Sequence, residues 1–209
     1  MNDSPHQSVL YKEIIHALQP HEGGRYVDGT LGAGGHARGI MEVSAPDGQL
    51  LGLEVDPQAL ALARKNLAPY EQRIHLAQAS YTSLCKQLTQ LQWDAVDGIL
   101  LDLGASSMQF DTPERGFSFL QDAPLDMRFG PHVAQTAADL VNESSERELA
   151  DLIYQYVKSG SLARSRERLS RRDRSTRPAN WSPLSNRFLP EEETVFIPRR
   201  ERSRPCESQ

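Results

Sequence analysis

Apolar positions along the chain change period several times, and each change marks an element. Val9, Leu10, Ile14, Ile15 and Leu18 recur at helical spacing until Pro20 and Gly23-Gly24 break the pattern, which predicts an amphipathic helix that packs on a core. Arg25–Asp28 then reads as a short strand, and apolar spacing resumes over Ala37–Glu42, so a helix is expected from about Gly35. Pro46-Asp47-Gly48 turns the chain into a second strand, Gln49–Glu54. Val55-Asp56-Pro57 leads into a helix carrying Ala59, Leu60, Ala63 and Leu67, with Asp56 as its N-cap or as a ligand contact. Arg73–Ala77 is a third strand, Ser80–Leu91 a further helix, and Asp94–Asp102 a fourth strand apolar enough to be buried on both faces. Strand and helix alternating at this rhythm mean parallel βαβ units, hence an α/β fold with a Rossmann-like parallel sheet. Ala134–Asn142 and Glu146–Tyr156 predict two later helices, the second opened by a Ser145/Glu148 capping box.

Ligands of such sheets sit beyond the carboxyl ends of the strands. Asp28, Glu54, Tyr81 and Asp102 all fall there. Between the first strand and its helix lies Asp28-Gly29-Thr30-Leu31-Gly32-Ala33-Gly34-Gly35-His36. Glycines in such a turn reach positive φ at no steric cost and let main-chain N–H groups approach a bound molecule. A glycine-rich turn alone is weak evidence, since a flexible surface loop has the same composition. Glu54 follows Asp28 by 26 residues, near the offset at which nucleotide-binding sheets place an acid for the ribose hydroxyls.

Two ligand classes compete for this edge. A dinucleotide loop requires Gly-x-Gly-x-x-Gly around an anionic pyrophosphate, whereas here glycines stand at 29, 32, 34 and 35 beside an aspartate that would repel it. The same aspartate attracts a sulfonium or an α-amino group, so S-adenosyl-L-methionine fits better.

Charge and composition narrow the picture further. The net charge of −5 conceals an asymmetry: residues 1–156 carry 10 Lys+Arg against 21 Asp+Glu (−11), and residues 157–209 carry 13 against 7 (+6). An acidic body argues against a broad, non-specific phosphate-binding surface. No apolar run approaches the ~20 residues of a membrane span, and the first residues lack the order of a signal peptide, so a cytoplasmic protein is expected. Cys85 and Cys206 have no metal-ligand spacing and read as incidental thiols.

After Asp102 a long segment mixes Gly, Ser, Pro, acids, Arg and Phe, through Gln109, Arg115, Phe117 and Phe119 to Arg128. A plain strand-to-helix loop takes only a few residues, so this one reads as functional. Together with Ser8-Val9-Leu10, Asp28–His36 and Asp97–Ser107, it resembles the MraW family of ribosomal RNA methyltransferases. The resemblance covers about the first three quarters of the chain. It implies a class I S-adenosylmethionine-dependent methyltransferase core interrupted by a helical substrate-recognition domain, and N4-methylation of a cytidine in the decoding region of 16S rRNA. Residues 1–105 would be the first four strands of that core, incomplete here, and 106–156 the start of the insertion.

By the same resemblance, Gly34, Gly35, His36, Glu54, Tyr81, Asp102 and Gln109 would contact the cofactor. Glu54 stands where the family usually has Asp, and Met108 where a proline is common. The cytosine amine needs alignment with the methyl–sulfur bond and an acceptor for its proton. Asp102 is the candidate acceptor, with a backbone carbonyl of 103–106 as the alternative. Arg115, Arg128, Phe117 and Phe119 could hold phosphate and base, the two phenylalanines being equally suited to a core. The implied partner is 16S rRNA, free or in the 30S subunit. Neither membrane nor metal is expected, and a homodimer stays open.

Past Tyr156 the family's later motifs do not follow. The reading frame is inferred to depart from the family near residue 157, and 157–209, rich in Ser, Arg and Pro, is expected to be a disordered, unrelated tail. That would leave the strand Asp97–Asp102 as an exposed edge and catalysis impaired. The alternatives are a cofactor- or RNA-binding fragment without turnover and, with less support, a dinucleotide-dependent oxidoreductase.

Overall fold

The structure, a computed structural model, describes residues 10–118, 120, 122–156 and 193–198. They belong to two units, Met1–Leu103 with Glu193–Gln209, and Gly104–Glu192.

The first unit holds helices α1 (Tyr11–Leu18), α2 (Gly35–Val43), α3 (Pro57–Asn66) and α4 (Leu84–Gln90) and strands β1 (Arg25–Asp28), β2 (Gln49–Glu54), β3 (Ile74–Gln78), β4 (Gly98–Leu103) and β5 (Glu193–Pro198). The sheet order is β3-β2-β1-β4-β5. The first four strands are parallel: Asp28 lies beside Gly52 and Leu100, and Glu54 beside Gln78. Successive residues of β1 and β2 are buried on opposite faces, which is why their sequences are apolar without alternation. Tyr26 and Leu50 join Leu18, Ile40, Met41, Leu60 and Leu67 from α1, α2, α3 and the residue capping α3. Val27, Leu51 and Leu53 join Trp93 on the other face, with Leu84, Leu88 and Leu91 packed against them. Each such side chain contributes about 1.5–3 kcal/mol when withdrawn from water.

Two glycines set close approaches. A Cβ at Gly39 would run into the Tyr11 ring, so α1 and α2 meet at contact distance. A Cβ at Gly52 would lie 2.9 Å from Leu31 Cδ1 and 2.7 Å from Leu76 Cδ2, so β2 leaves room for the glycine loop to tuck a leucine beneath itself.

Element positions agree with the hydrophobic pattern, and the differences are local. The helix expected over Ser80–Leu91 opens with a 3-10 turn, Tyr81–Ser83, in which Ser80 Oγ accepts from Thr82 N–H (3.2 Å). The fourth strand begins at Gly98 rather than Asp94. Cys85, read from sequence as an incidental thiol, is disulfide-bonded.

The larger correction concerns β4. It is not an exposed edge: β5 pairs with it antiparallel over six residues, from Gly98↔Pro198 to Leu103↔Glu193. Thr194-Val195-Phe196-Ile197 is a β-branched and aromatic run, and a central strand with an open row of N–H and C=O groups is a template for such a segment. An antiparallel partner needs no crossover helix, so it can come from a remote part of the chain. The expectation of disorder therefore fails for Glu193–Pro198, and the wholly parallel sheet becomes four parallel strands plus one antiparallel. The rest of 157–209 lies outside the described residues.

The second unit contains α5 (Ser107–Asp111), a 3-10 turn at Pro113–Arg115, α6 (Ala137–Glu143) and α7 (Glu146–Tyr156). Thr136 and Asp139 form a capping box at α6. Before α7, Glu148 Oε2 accepts from Ser145 N–H (2.8 Å) and Ser145 Oγ accepts from Glu148 N–H (3.3 Å), as the spacing predicts.

Candidate functional site

The glycine loop between β1 and α2 is tied down from every side by short hydrogen bonds. Gly29 N–H donates to Leu100 O (2.9 Å), Leu31 N–H to Leu53 O (3.0 Å) and Gly34 N–H to Leu31 O (2.8 Å). Asn66 Nδ2, at the end of α3, donates to Ala33 O (2.9 Å). Gly34 takes φ +86°, the left-handed conformation that only glycine adopts freely, and among the described residues no side chain caps α2 behind it. Three of these bonds reach β4, β2 and α3 and the fourth closes a turn within the loop, so the loop is part of the sheet's carboxyl edge.

Three carboxylates stand at that edge. Asp28 is fully buried: Oδ1 accepts from Thr30 N–H (3.1 Å) and Oδ2 has no partner among the described residues. Burial, and then the neighbouring carboxylates of Asp102 and Glu54, outweigh the Thr30 bond and push the Asp28 carboxyl up to about 7. Glu54 reaches across to the loop, where Oε2 accepts from Gly32 N–H (2.8 Å) and Oε1 from Asp56 N–H (2.8 Å). Its extra methylene relative to Asp is used in this reach. Each oxygen keeps a second lone pair for a ligand hydroxyl. Asp56 caps α3 by accepting from Gln58 N–H (2.9 Å), which settles its role as a cap.

Asp102 closes the group on the β4 side. Its backbone N–H donates to Thr30 Oγ1 (2.7 Å), and its half-buried carboxylate lies 3.9 Å from His36 Nδ1. The His36 ring, buried at the start of α2, stacks on Tyr11 with centroids 6.4 Å apart and 15° between planes. Tyr81 is exposed next to Gly29, where a Cβ would come within 3.1 Å of Tyr81 Cβ and 2.5 Å of Leu101 Cδ2.

The fold thus brings Gly34, Gly35, His36, Glu54, Tyr81 and Asp102 to one edge. Gln109 belongs to the second unit, buried in α5, where its Oε1 accepts from Ser106 N–H (2.8 Å). Within that unit Phe117 is buried between Phe110 and Phe129, at centroid distances of 6.3 and 5.3 Å, which is a core position. Arg115 donates to the carbonyls of Arg128 and Phe129, and Arg128 grips Asp126 with two nitrogens, holding that carboxyl below its usual range. Both arginines brace the segment. Phe119 lies outside the described residues.

Two contributors were not singled out from sequence. Thr30 links the glycine loop to β4, and Asn66 links it to α3. Their partners are backbone atoms 72 and 33 residues away, so no local pattern marks them.

Comparison with known proteins identifies the family. The model of the MraW methylase family matches residues 3–180, running past Tyr156. A protein of Geotalea uraniireducens named ribosomal RNA small subunit methyltransferase H is 53% identical over 156 residues, covering 75% of this chain and 50% of the relative. Proteins of the same name from Syntrophus aciditrophicus (52% over 165 residues) and Stenotrophomonas maltophilia (41% over 192 residues) are matched over 78% and 88% of this chain. Those matches take in 52% and 58% of the relatives, so the chain spans about half the length of the proteins it matches. A glycine loop bonded into the edge of a parallel sheet, three acids around it and a family model covering most of the sequence lead to one conclusion: the chain belongs to the MraW methylase family.

Proposed function

We propose that this chain carries the S-adenosyl-L-methionine half-site of a methyltransferase that modifies small-subunit (16S) ribosomal RNA at the N4 amine of a cytidine in the decoding region. The observation that carries the reading is the charge of the site: the carboxylates of Glu54 and Asp102 converge on the glycine loop beside the buried carboxyl of Asp28, whose Oδ2 has no partner among the described residues. A sulfonium with an α-ammonium complements that set, whereas a pyrophosphate would face repulsion. The dinucleotide alternative is disfavoured on this ground.

When bound, the cofactor supplies an electrophilic methyl group on a cationic sulfur. The protein's residues would do the rest by positioning. Glu54, held by Gly32 and Asp56 N–H, faces the ribose hydroxyls with its remaining lone pairs. The uncapped N-terminus of α2, preceded by Gly34 at positive φ, suits a ligand carboxylate. Tyr81 lines the site beside Gly29, and His36 closes it from α2. By resemblance to the family, Gln109 would also contact the cofactor. Asp102 accepts the proton that the cytosine amine loses as it gains the methyl, or else orients the cofactor while a backbone carbonyl of 103–106 takes the proton. The base must be unstacked to reach such a site, at little cost in a single-stranded rRNA segment. The second unit would begin the substrate-recognition region, and the protein would act in the cytoplasm.

Calorimetric titration with S-adenosylmethionine, with NADH as control, tests the cofactor, and methylation of 30S subunits by the same sample tests turnover. Cofactor binding without turnover would favour the reading of a cofactor- or RNA-binding fragment. NADH binding in its place would sink both. For Asp102, an Asp102→Asn protein that binds cofactor and turns over unchanged would remove the acceptor role.

A further inference from the structure

Asp28 performs no step in the mechanism above, yet it is the most isolated titratable group of the site. Its carboxyl is 1% exposed, and among the described residues Oδ2 is buried without a partner and the one bond the carboxyl makes is to the Thr30 amide. The groups that face it are of one sign: Glu54 from β2 and Asp102 from β4, the latter paired at 3.9 Å with His36 from α2. Those two acids are only partly buried and, on the reading proposed above, they meet the cofactor. A carboxyl shut off from water, lacking a cation and backed by two negative charges, favours its protonated form. A cation arriving in front of Glu54 and Asp102 offsets that repulsion and shifts the balance toward the ionised form.

We propose that Asp28 is a proton-exchanging carboxyl behind the cofactor site, protonated in part while the site is empty and ionised when a cationic nucleoside ligand binds, so that binding expels a proton to solvent. No covalent bond to the ligand forms: the carboxylic O–H ionises, the electron pair stays on oxygen and the proton passes to the buffer. Once methyl transfer turns the sulfonium into a neutral thioether, one positive charge is gone and Asp28 takes a proton back. The site thereby trims its own negative charge to match the ligand. The position of the Asp28 carboxyl, about 7, places this exchange at neutral pH.

The inference rests on the cofactor reading, and the test separates the two. The 209-residue protein is titrated with S-adenosylmethionine at pH 7 in two buffers of different ionisation enthalpy, which counts protons released per ligand. Asp28→Asn is run in parallel, so that protons exchanged by the ligand's own amine cancel in the difference. Wild type is expected to release up to about 0.5 proton more than Asp28→Asn, the protonated share of a group titrating near pH 7. S-adenosylhomocysteine, with an ammonium but no sulfonium, should release less, and 5′-methylthioadenosine, with neither, none. Should Asp28→Asn not fold, the infrared difference spectrum of wild type on adding S-adenosylmethionine serves instead, where loss of a protonated-carboxyl band is expected. Tight binding with equal proton counts in wild type and variant, or with no loss of that band, overturns the proton exchange and leaves the cofactor reading standing. Absence of S-adenosylmethionine binding overturns both.

Discussion

Asp28 also makes a prediction about the protein without ligand, and its magnitude can be worked from the site. The carboxyl is raised from 3.8 to about 7, mainly because burial penalises the charge. Since the folded-state value lies above the unfolded one, the stability Asp28 contributes is full below about pH 4 and is lost as pH rises through about 7. Each unit corresponds to ~1.4 kcal/mol, so the loss is about 2 kcal/mol at pH 5 and about 4 kcal/mol at pH 8. Asn keeps the acceptor for Thr30 N–H and abolishes the titration, at a cost of ~1–3 kcal/mol for an amide N–H2 placed where Oδ2 has no partner. Asp28→Asn should therefore be within about 1 kcal/mol of wild type at pH 5, and more stable by roughly 1–3 kcal/mol at pH 8. Urea denaturation of both proteins at the two pH values measures this, because titrations remote from the site are shared and cancel in the difference. An Asn offset that is the same at pH 5 and pH 8 would refute the argument: Asp28 would then ionise in the fold as it does in the unfolded chain.

Three further substitutions probe the scaffold. Thr30→Val keeps the shape but removes the acceptor for Asp102 N–H, so a loss of about 1–2 kcal/mol and faster hydrogen exchange at the Asp102 amide are expected; unchanged exchange would dismiss the link. Gly34→Ala forces a side chain onto φ +86° with its Cβ 2.9 Å from Leu67 Cδ1, which should cost about 1–3 kcal/mol in thermal melting and weaken S-adenosylmethionine binding; a neutral melt would mean that the loop has another conformation. Leu50→Ala empties a fully buried position between β2 and the helices above it and should cost about 2–5 kcal/mol by chemical denaturation, against less than about 0.5 kcal/mol at an exposed control site.

Much of this protein was legible in its sequence for a physical reason: parallel strands buried on both faces need unbroken apolar runs, and helices on a sheet need one apolar stripe. Arg25–Asp28 and Gln49–Glu54 therefore coincide with β1 and β2, and Asp28, Glu54 and Asp102 could be placed at one edge because a parallel sheet sends every strand end to the same side. The family, too, was legible, since its motifs are local strings. What depends on partners remote in sequence was not. The antiparallel β5 is a six-residue segment set among Ser, Arg and Pro, and only the open edge of β4 gives it a place. Thr30, Asn66 and the reach of Glu54 to Gly32 are bonds to backbone atoms that tertiary folding alone brings near. The unusual state of Asp28 belongs to the same class: sequence shows a carboxylate at a strand end, but the energy of its charge is set by the water that packing excludes and by the two acids the sheet places beside it.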